Sequence, residues 1–232
     1  TLAAITNVDA NDVITFTTND TSVDASDLVA LALKVDTLGV NSVTTITEAY
    51  NTANVATVVT NALNITGNTE LVSITGGSIL ATDVNTILGA TSGNVTAIVT
   101  ADTAAALNTA LTNATTGTDA LTLTINDTTL TSVSDLLALD GKTNVAVNAS
   151  SVNSITDTYT NLNSVYAANT AGTISGLGNE AVTISDTTSA ANVNTIAGRT
   201  SGILTATITT GAVTSTLAAI TNVDANDVIT FT

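Results

Sequence analysis

The sequence predicts a repeat solenoid of the α/β kind, with coils of parallel β-sheet each covered by a short helix. Three observations predict it. Residues 1–17 and 216–232 are the same line, TLAAITNVDANDVITFT, so one long repeat covers 1–215 and the next begins at 216–232. Within it a shorter motif returns: NDTSVDASDLVAL (Asn19–Leu31), GGSILATDVNTIL (Gly76–Leu88), NDTTLTSVSDLLAL (Asn126–Leu139) and SDTTSAANVNTIA (Ser185–Ala197). These starts divide the long repeat into four units of roughly 54 residues, each made of two half-units of roughly 27. Finally, Val/Thr stretches alternate with Ala/Asn/Leu stretches in every half-unit.

The Val/Thr stretches predict strands because they are short, β-branched, roughly alternating and bounded by Gly, Asn or Asp. In order they are DVITFT (Asp12–Thr17), SVTTIT (Ser42–Thr47), ELVSIT (Glu70–Thr75), NVTAIVT (Asn94–Thr100), ALTLTI (Ala120–Ile125), NVAVN (Asn144–Asn148), AVTIS (Ala181–Ser185) and ILTATIT (Ile203–Thr209), with DVITFT again at Asp227–Thr232. Between them lie predicted helices. SVDASDLVALAL (Ser22–Leu33) and TSVSDLLAL (Thr131–Leu139) set Ser, Thr or Asp at the N-cap ahead of Leu at helical spacing. The second set is NTANVATVVTNAL (Asn51–Leu63), TAAALNTALTNA (Thr103–Ala114), TDTYTNLNSVYAA (Thr156–Ala168) and TSTLAAITNV (Thr214–Val223). Gly89, Gly117, Gly141 and Gly198 are placed to close helices.

Strand, helix, strand in one direction means parallel strands joined by crossovers of one hand. Repetition of that unit winds a solenoid, here eight coils of about 27 residues. Strands advance about 4.8 Å per coil, whereas packed helices need about 8–10 Å. Alternation of longer and shorter helices relieves that mismatch. If the helical segments are mere turns, the same strands predict an all-β right-handed β-helix.

Composition excludes much chemistry. The 232 residues include no Pro, Cys, Met, Trp or His, and 19 acids face three bases, Lys34, Lys142 and Arg199, for a formal net charge of −16. Absent Met and any signal-like opening, the chain reads as an internal or processed piece. The longest apolar run, Leu28–Leu33, is far short of a membrane span. Acidity opposes nucleic acid and anionic membranes, which need clustered cations. Without His or Cys, the hydroxyls lack the usual bases, and a Ser/Lys pair has only Lys34 and Lys142 to draw on. Paired carboxylates of a polysaccharide-active enzyme would need aromatic platforms, and there are five aromatics in all.

The densest acid cluster is Asp9, Asp12, Asp20, Asp24 and Asp27, hard oxygen ligands suited to calcium, the one cofactor the sequence leaves room for. It lacks the Gly-rich nonapeptide of calcium β-rolls and the EF-hand spacing. N-caps and Asx-turns at coil corners account for the same residues. Thr-x-Thr at Thr15–Thr17, Thr122–Thr124 and Thr205–Thr207 resembles the faces of ice-binding solenoids, although ELVSIT, NVAVN and AVTIS break the array. Sequons at Asn19, Asn64, Asn94, Asn113, Asn126 and Asn148 permit glycosylation.

Thr131–Thr156 and Ala167–Gly202, the phrase GLGNEAVTISDTT above all, resemble repeats of giant, acidic, Cys-free cell-surface proteins of cyanobacteria. The resemblance implies an exported structural or adhesive protein, extracellular or at the cell surface, with no catalytic residues to carry over. The reading is therefore a non-enzymatic structural protein, a segment of a filament, sheath or surface layer. Its partners would be copies of the same repeat end to end and neighbouring filaments, without nucleic acid or membrane insertion. The alternatives are an adhesin stalk, an ice- or ligand-binding solenoid and, last, a polysaccharide-active enzyme.

Overall fold

The computed structural model describes residues 12–50, 54–115 and 117–232. In chain order the elements are β1 (Thr15–Thr17), β2 (Ser22–Asp24), α1 (Ala25–Ala32), β3 (Thr37–Gly39), β4 (Thr45–Ala49), α2 (Val55–Thr66), β5 (Leu71–Ile79), α3 (Ala81–Ala90), β6 (Val95–Val99), α4 (Ala104–Ala110) and β7 (Ala120–Thr122). They continue with β8 (Thr129–Leu130), α5 (Val133–Asp140), β9 (Val147–Asn148), β10 (Ser154–Asp157), α6 (Tyr159–Ala171), β11 (Ile174–Ser175), β12 (Ala181–Thr188), α7 (Ala190–Ala197), β13 (Leu204–Ile208), α8 (Val213–Ala219) and β14 (Val228–Phe231). Eight helices among the described residues fall on the Ala/Asn/Leu segments, so the arrangement is mixed α/β and not all-β.

Local chemistry explains where the helices start and stop. Asp24, Thr158 and Ser189 are N-caps whose side chains accept from Asp27, Asn161 and Asn192 N–H. Gly67 and Gly172 end α2 and α6 in the left-handed conformation, and Gly141 and Gly198 end α5 and α7. Gly89 closes nothing, since it lies inside α3. Long and short helices do not alternate: the two longest, α2 with 12 residues and α6 with 13, occur one in each half of the chain.

The chain divides into two compact units, Thr1–Thr100 with Ala110–Thr122, and Ala101–Thr109 with Leu123–Thr232. In the first, a five-stranded sheet has the order β2-β4-β5-β6-β7, and β1 pairs with β3. In the second, the order is β8-β10-β12-β13-β14, and β9 pairs with β11. Every pairing is parallel. Parallel neighbours demand a crossover, and helices such as α2 between β4 and β5, or α7 between β12 and β13, supply it. Paired residues lie 20 residues apart at Ile79↔Val99 and 27 apart at Ser154↔Ala181.

Each unit has its own core. Val95, Ala97 and Val99 of β6 are buried while Thr96 and Ile98 face outward, the period-two signature of a strand with one covered face. Val59, Leu63, Val84 and Ile87 bury the inner stripes of α2 and α3. In the second unit Leu204, Ala206 and Ile208 play the strand part, and Leu162, Val165, Val193 and Ile196 the helix part. Each such aliphatic contributes about 1.5–3 kcal/mol by burial.

The same polar joints occur in both units, 109 residues apart for Thr91 and Thr200. Thr91 Oγ1 donates to Glu70 O (2.7 Å) and accepts from Gly93 N (2.9 Å), while Ser92 N donates to Asn68 O. Thr200 Oγ1 donates to Glu180 O (2.6 Å) and accepts from Gly202 N (2.9 Å), while Ser201 N donates to Gly178 O. The Thr-Ser-Gly turn thus lies directly on the preceding winding. A Cβ on Gly93 or Gly202 would come within 2.2 Å of the Glu70 or Glu180 carbonyl oxygen, and main chain cannot step aside as a flexible side chain can. Gly93→Ala and Gly202→Ala are expected to destabilise the chain by about 1–3 kcal/mol or more through overpacking. Gly141→Ala, with 3.5 Å of clearance, serves as the near-neutral control in the same denaturant titrations.

Candidate functional site

Of the five predicted metal-ligand candidates, Asp9 lies outside the described residues. Asp24 is already engaged as the cap of α1: its Oδ1 accepts from Asp27 N (3.1 Å) and Ser26 Oγ (2.5 Å). Asp27 sits in the first turn of that helix, where the N-terminal dipole favours an anion. Asp20 Oδ2 accepts from Thr18 Oγ1 (3.0 Å), whose oxygen in turn accepts from Asp20 N (3.1 Å), a local hydroxyl turn. Asp12 is exposed before β1. Asp20, Asp24 and Asp27 line one open cleft of about 380 Å³ together with Phe16, Val23 and Leu31. That cleft is where a cation would find the most carboxylates. Among the described residues no three acids are grouped as a metal site.

The structure gives seven of the acids a different task. Four carboxylates accept the amide of a helix start in the preceding winding: Glu48 from Ser26 N (3.0 Å), Asp127 from Ala104 N (2.7 Å), Asp157 from Val133 N (3.2 Å) and Asp186 from Tyr159 N (2.8 Å). Three more accept an amide at or just before a strand start: Asp36 from Ile14 N (2.8 Å), Asp119 from Val95 N (2.8 Å) and Asp227 from Leu204 N (2.7 Å). In every case the acid follows its amide by 22 to 27 residues, the separation of neighbouring parallel strands. Sequence reasoning gave local caps and turns only to the Asp9, Asp12, Asp20, Asp24 and Asp27 cluster and missed these long-range clasps. The legible signal was an Asp or Glu 22 to 27 residues beyond seven of the helix or strand starts.

Asparagine makes a second clasp. Asn85 Oδ1 accepts from Asn113 N (2.7 Å) and Asn113 Nδ2 donates to Asn85 O (2.9 Å); Asn194 and Asn222 repeat both bonds at 2.6 and 3.1 Å. A Cβ on Gly89 or Gly198 would meet Asn113 or Asn222 Nδ2 at 2.7 and 2.8 Å, so these glycines clear the way for the amide groups.

Two buried groups have displaced pKa values. Burial, and after it the charge of Asp24, holds the Glu48 carboxyl above its ordinary 4.5, against the lowering effect of the Ser26 and Ala49 amides. Burial, then the bond to Glu180, raises the Tyr166 hydroxyl well above its ordinary range. Tyr166 OH donates to Glu180 Oε1, while Glu180 Oε2 accepts from Gly178 N (2.7 Å) and Asn179 N (3.0 Å). Three structural donors thus hold the carboxylate. The bases sit at helix ends: Lys34 follows α1, Lys142 follows α5, and Arg199 Nη1 donates to Thr170 Oγ1 (2.6 Å). Hydroxyl residues do align across strands, as in Thr156–Thr183–Thr205, but that column ends at Val228. In the first unit Thr47–Ser73–Thr96 ends at Ala120.

Among the described residues no helix is long and apolar enough to cross a membrane. Comparison with known protein families, curated proteins and solved structures gives no match.

Two measurements check the clasps. Asp119→Ala leaves the fully buried Val95 amide without its acceptor and is expected to cost about 1–3 kcal/mol; Asp119→Asn keeps an acceptor oxygen and should recover most of it in urea titrations. For Glu48, the raised folded pKa means that the folded state holds this proton more tightly than the unfolded chain. Its stabilising contribution is complete below pH 4.5 and lost as pH rises through the folded value. Glu48→Gln, whose amide oxygen can still accept from Ser26 N, removes that dependence. The parent chain should therefore gain more stability than the variant between neutral pH and pH 4.5.

Proposed function

We propose that this chain is a structural, non-enzymatic segment of an extracellular or cell-surface filament, sheath or surface layer, in which covalently tandem repeats wind as an α/β solenoid. The observation that carries the reading is the bonding pattern. In each unit the sheet follows chain order, all strands are parallel, and the polar donors of one winding are met by acids, hydroxyls and amides of the next. An arrangement in which stability is passed from neighbour to neighbour has no natural length and suits a rod.

The seventeen residues shared by 1–17 and 216–232 supply the period. Seven carboxylates held on main-chain amides support the structural reading. Net charge of −16 keeps neighbouring rods apart except where divalent ions bridge them. Electron microscopy of the native protein is the test. Rods with an axial repeat on the order of 40 Å, eight windings at the spacing of parallel strands, are expected; discrete particles carrying a cleft would refute the filament.

A further inference from the structure

The line shared by both ends of the sequence is described at Asp12–Thr17 and again at Asp227–Thr232, in two complementary settings. Near the start, β1 pairs with a later strand, β3, in the register Thr15↔Thr37 and Phe16↔Leu38. Ile14 O accepts from Asp36 N (2.8 Å) and Thr37 N (3.2 Å), Ile14 N donates to Asp36 Oδ2, and Thr18 N donates to Gly39 O (3.0 Å). At the other end, β14 pairs with the strand that precedes it, in the register Thr207↔Thr230 and Ile208↔Phe231. Thr232 N and Oγ1 both donate to Ile208 O, at 3.2 and 3.3 Å.

In the repeat, Ile229 corresponds to Ile14, Phe231 to Phe16 and Thr232 to Thr17. The forward ladder therefore uses the main chain of Ile14 and Thr18, and the backward bond uses the counterpart of Thr17. Alternate residues of a strand direct their N–H and C=O groups to opposite edges. The two ladders use opposite edges of one strand and can form together.

The apolar surface tells the same story. Leu217, Ile220 and Phe231 line an open cleft of about 340 Å³, with Leu217 70% and Phe231 56% exposed. Phe16 lines another cleft with Val23 and Leu31. Phe16 and Phe231 are the same position of the repeat, so these are two sides of one place. Leu123, the centre of the corresponding Thr-x-Thr at Thr122–Thr124, is fully buried.

We infer that the free edge of β14, with the Leu217–Ile220–Phe231 cleft, is the docking surface for the winding Thr18–Gly39 of a second copy of this repeat, joined through the shared segment. The second copy's Thr37 and Leu38 pair beside Thr230 and Phe231, its Asp36 accepts from Ile229 N, and its Val23 and Leu31 cover Leu217 and Ile220. The inference rests on the tandem reading above and specifies its joint.

The test extends the 232-residue chain past Thr232 with a second copy of Thr18–Tyr50 and compares amide hydrogen exchange with the parent chain. Exchange at Ile229 and Phe231 is expected to slow by about tenfold or more, while Thr230 and Thr232, which face β13, change little. Asp36→Ala in the appended copy alone returns Ile229 towards its parent rate and leaves Phe231 protected. Unchanged exchange at Ile229 and Phe231 overturns the joint, whether or not the appended residues fold. Micrographs of the native protein speak to the filament separately: discrete particles there would end that reading without altering the exchange result.

Discussion

The start of a helix or a parallel strand leaves main-chain amides that the element itself cannot satisfy, and here seven of those amides are met by side chains that arrive 22 to 27 residues later. Ser26, Ala104, Val133 and Tyr159 begin or nearly begin helices, and each amide is held by an Asp or Glu of the following winding. Hydroxyls complete the arrangement: Thr44 and Thr47 donate back to Thr21 O and Val23 O, and Thr209 to Thr188 O. The composition follows from this. A carboxylate whose partner is an amide dipole needs no cation, so 19 acids coexist with three bases. Threonine serves twice, as a β-branched strand former and as a donor to the winding behind it.

Much of the fold was legible because its signals are local. Ser22–Leu33 and Thr131–Leu139 carry their caps and Leu spacing within a dozen residues, and α1 and α5 form inside them. The strand segments lie on β1, β4, β5, β6, β7, β9, β12, β13 and β14 for the same reason. The strands β2, β3, β8, β10 and β11 were not legible. They are two to four residues long, and pairing with a neighbour decides them where periodicity has too little length to show. In the acid cluster the cap at Asp24 was legible because it is local, whereas the roles of Asp36 and Asp119, outside that cluster, were not, since their carboxylates act on amides more than twenty residues away.

Glycine shows the same division. Gly67 and Gly172 answer to their own backbone, holding positive φ at helix ends where a side chain would be strained. Gly93 and Gly202 answer to another winding, whose carbonyl occupies the space a Cβ would need. The second kind shares the Thr-Ser-Gly line, Thr91–Gly93 and Thr200–Gly202, which the first kind lacks. Close approach of main chain to main chain is also why proline would be costly here. A strand with a neighbour on each side has its amides bonded to one or the other, and a residue without N–H breaks one of those bonds.

Aromatic residues meet a related limit, and Tyr166 shows how it is passed. Its ring is fully buried in the second unit, so its hydroxyl must find a partner in the core. Glu180 is there, but the acid does not depend on the tyrosine: Glu70, which holds the corresponding place before β5, is equally buried and accepts from Thr69 N (2.9 Å). Both glutamates precede a strand, and the carbonyl of each receives a threonine hydroxyl, Thr91 or Thr200, from the following winding. The carboxylate is thus first a main-chain acceptor that fixes the turn into the strand, and the tyrosine hydroxyl takes up capacity the turn leaves over. A buried acid beside a tyrosine of raised pKa ordinarily invites a catalytic reading. Here its counterpart Glu70 also accepts a main-chain amide just before its strand, so a structural task at the turn accounts for the buried carboxylate in both places.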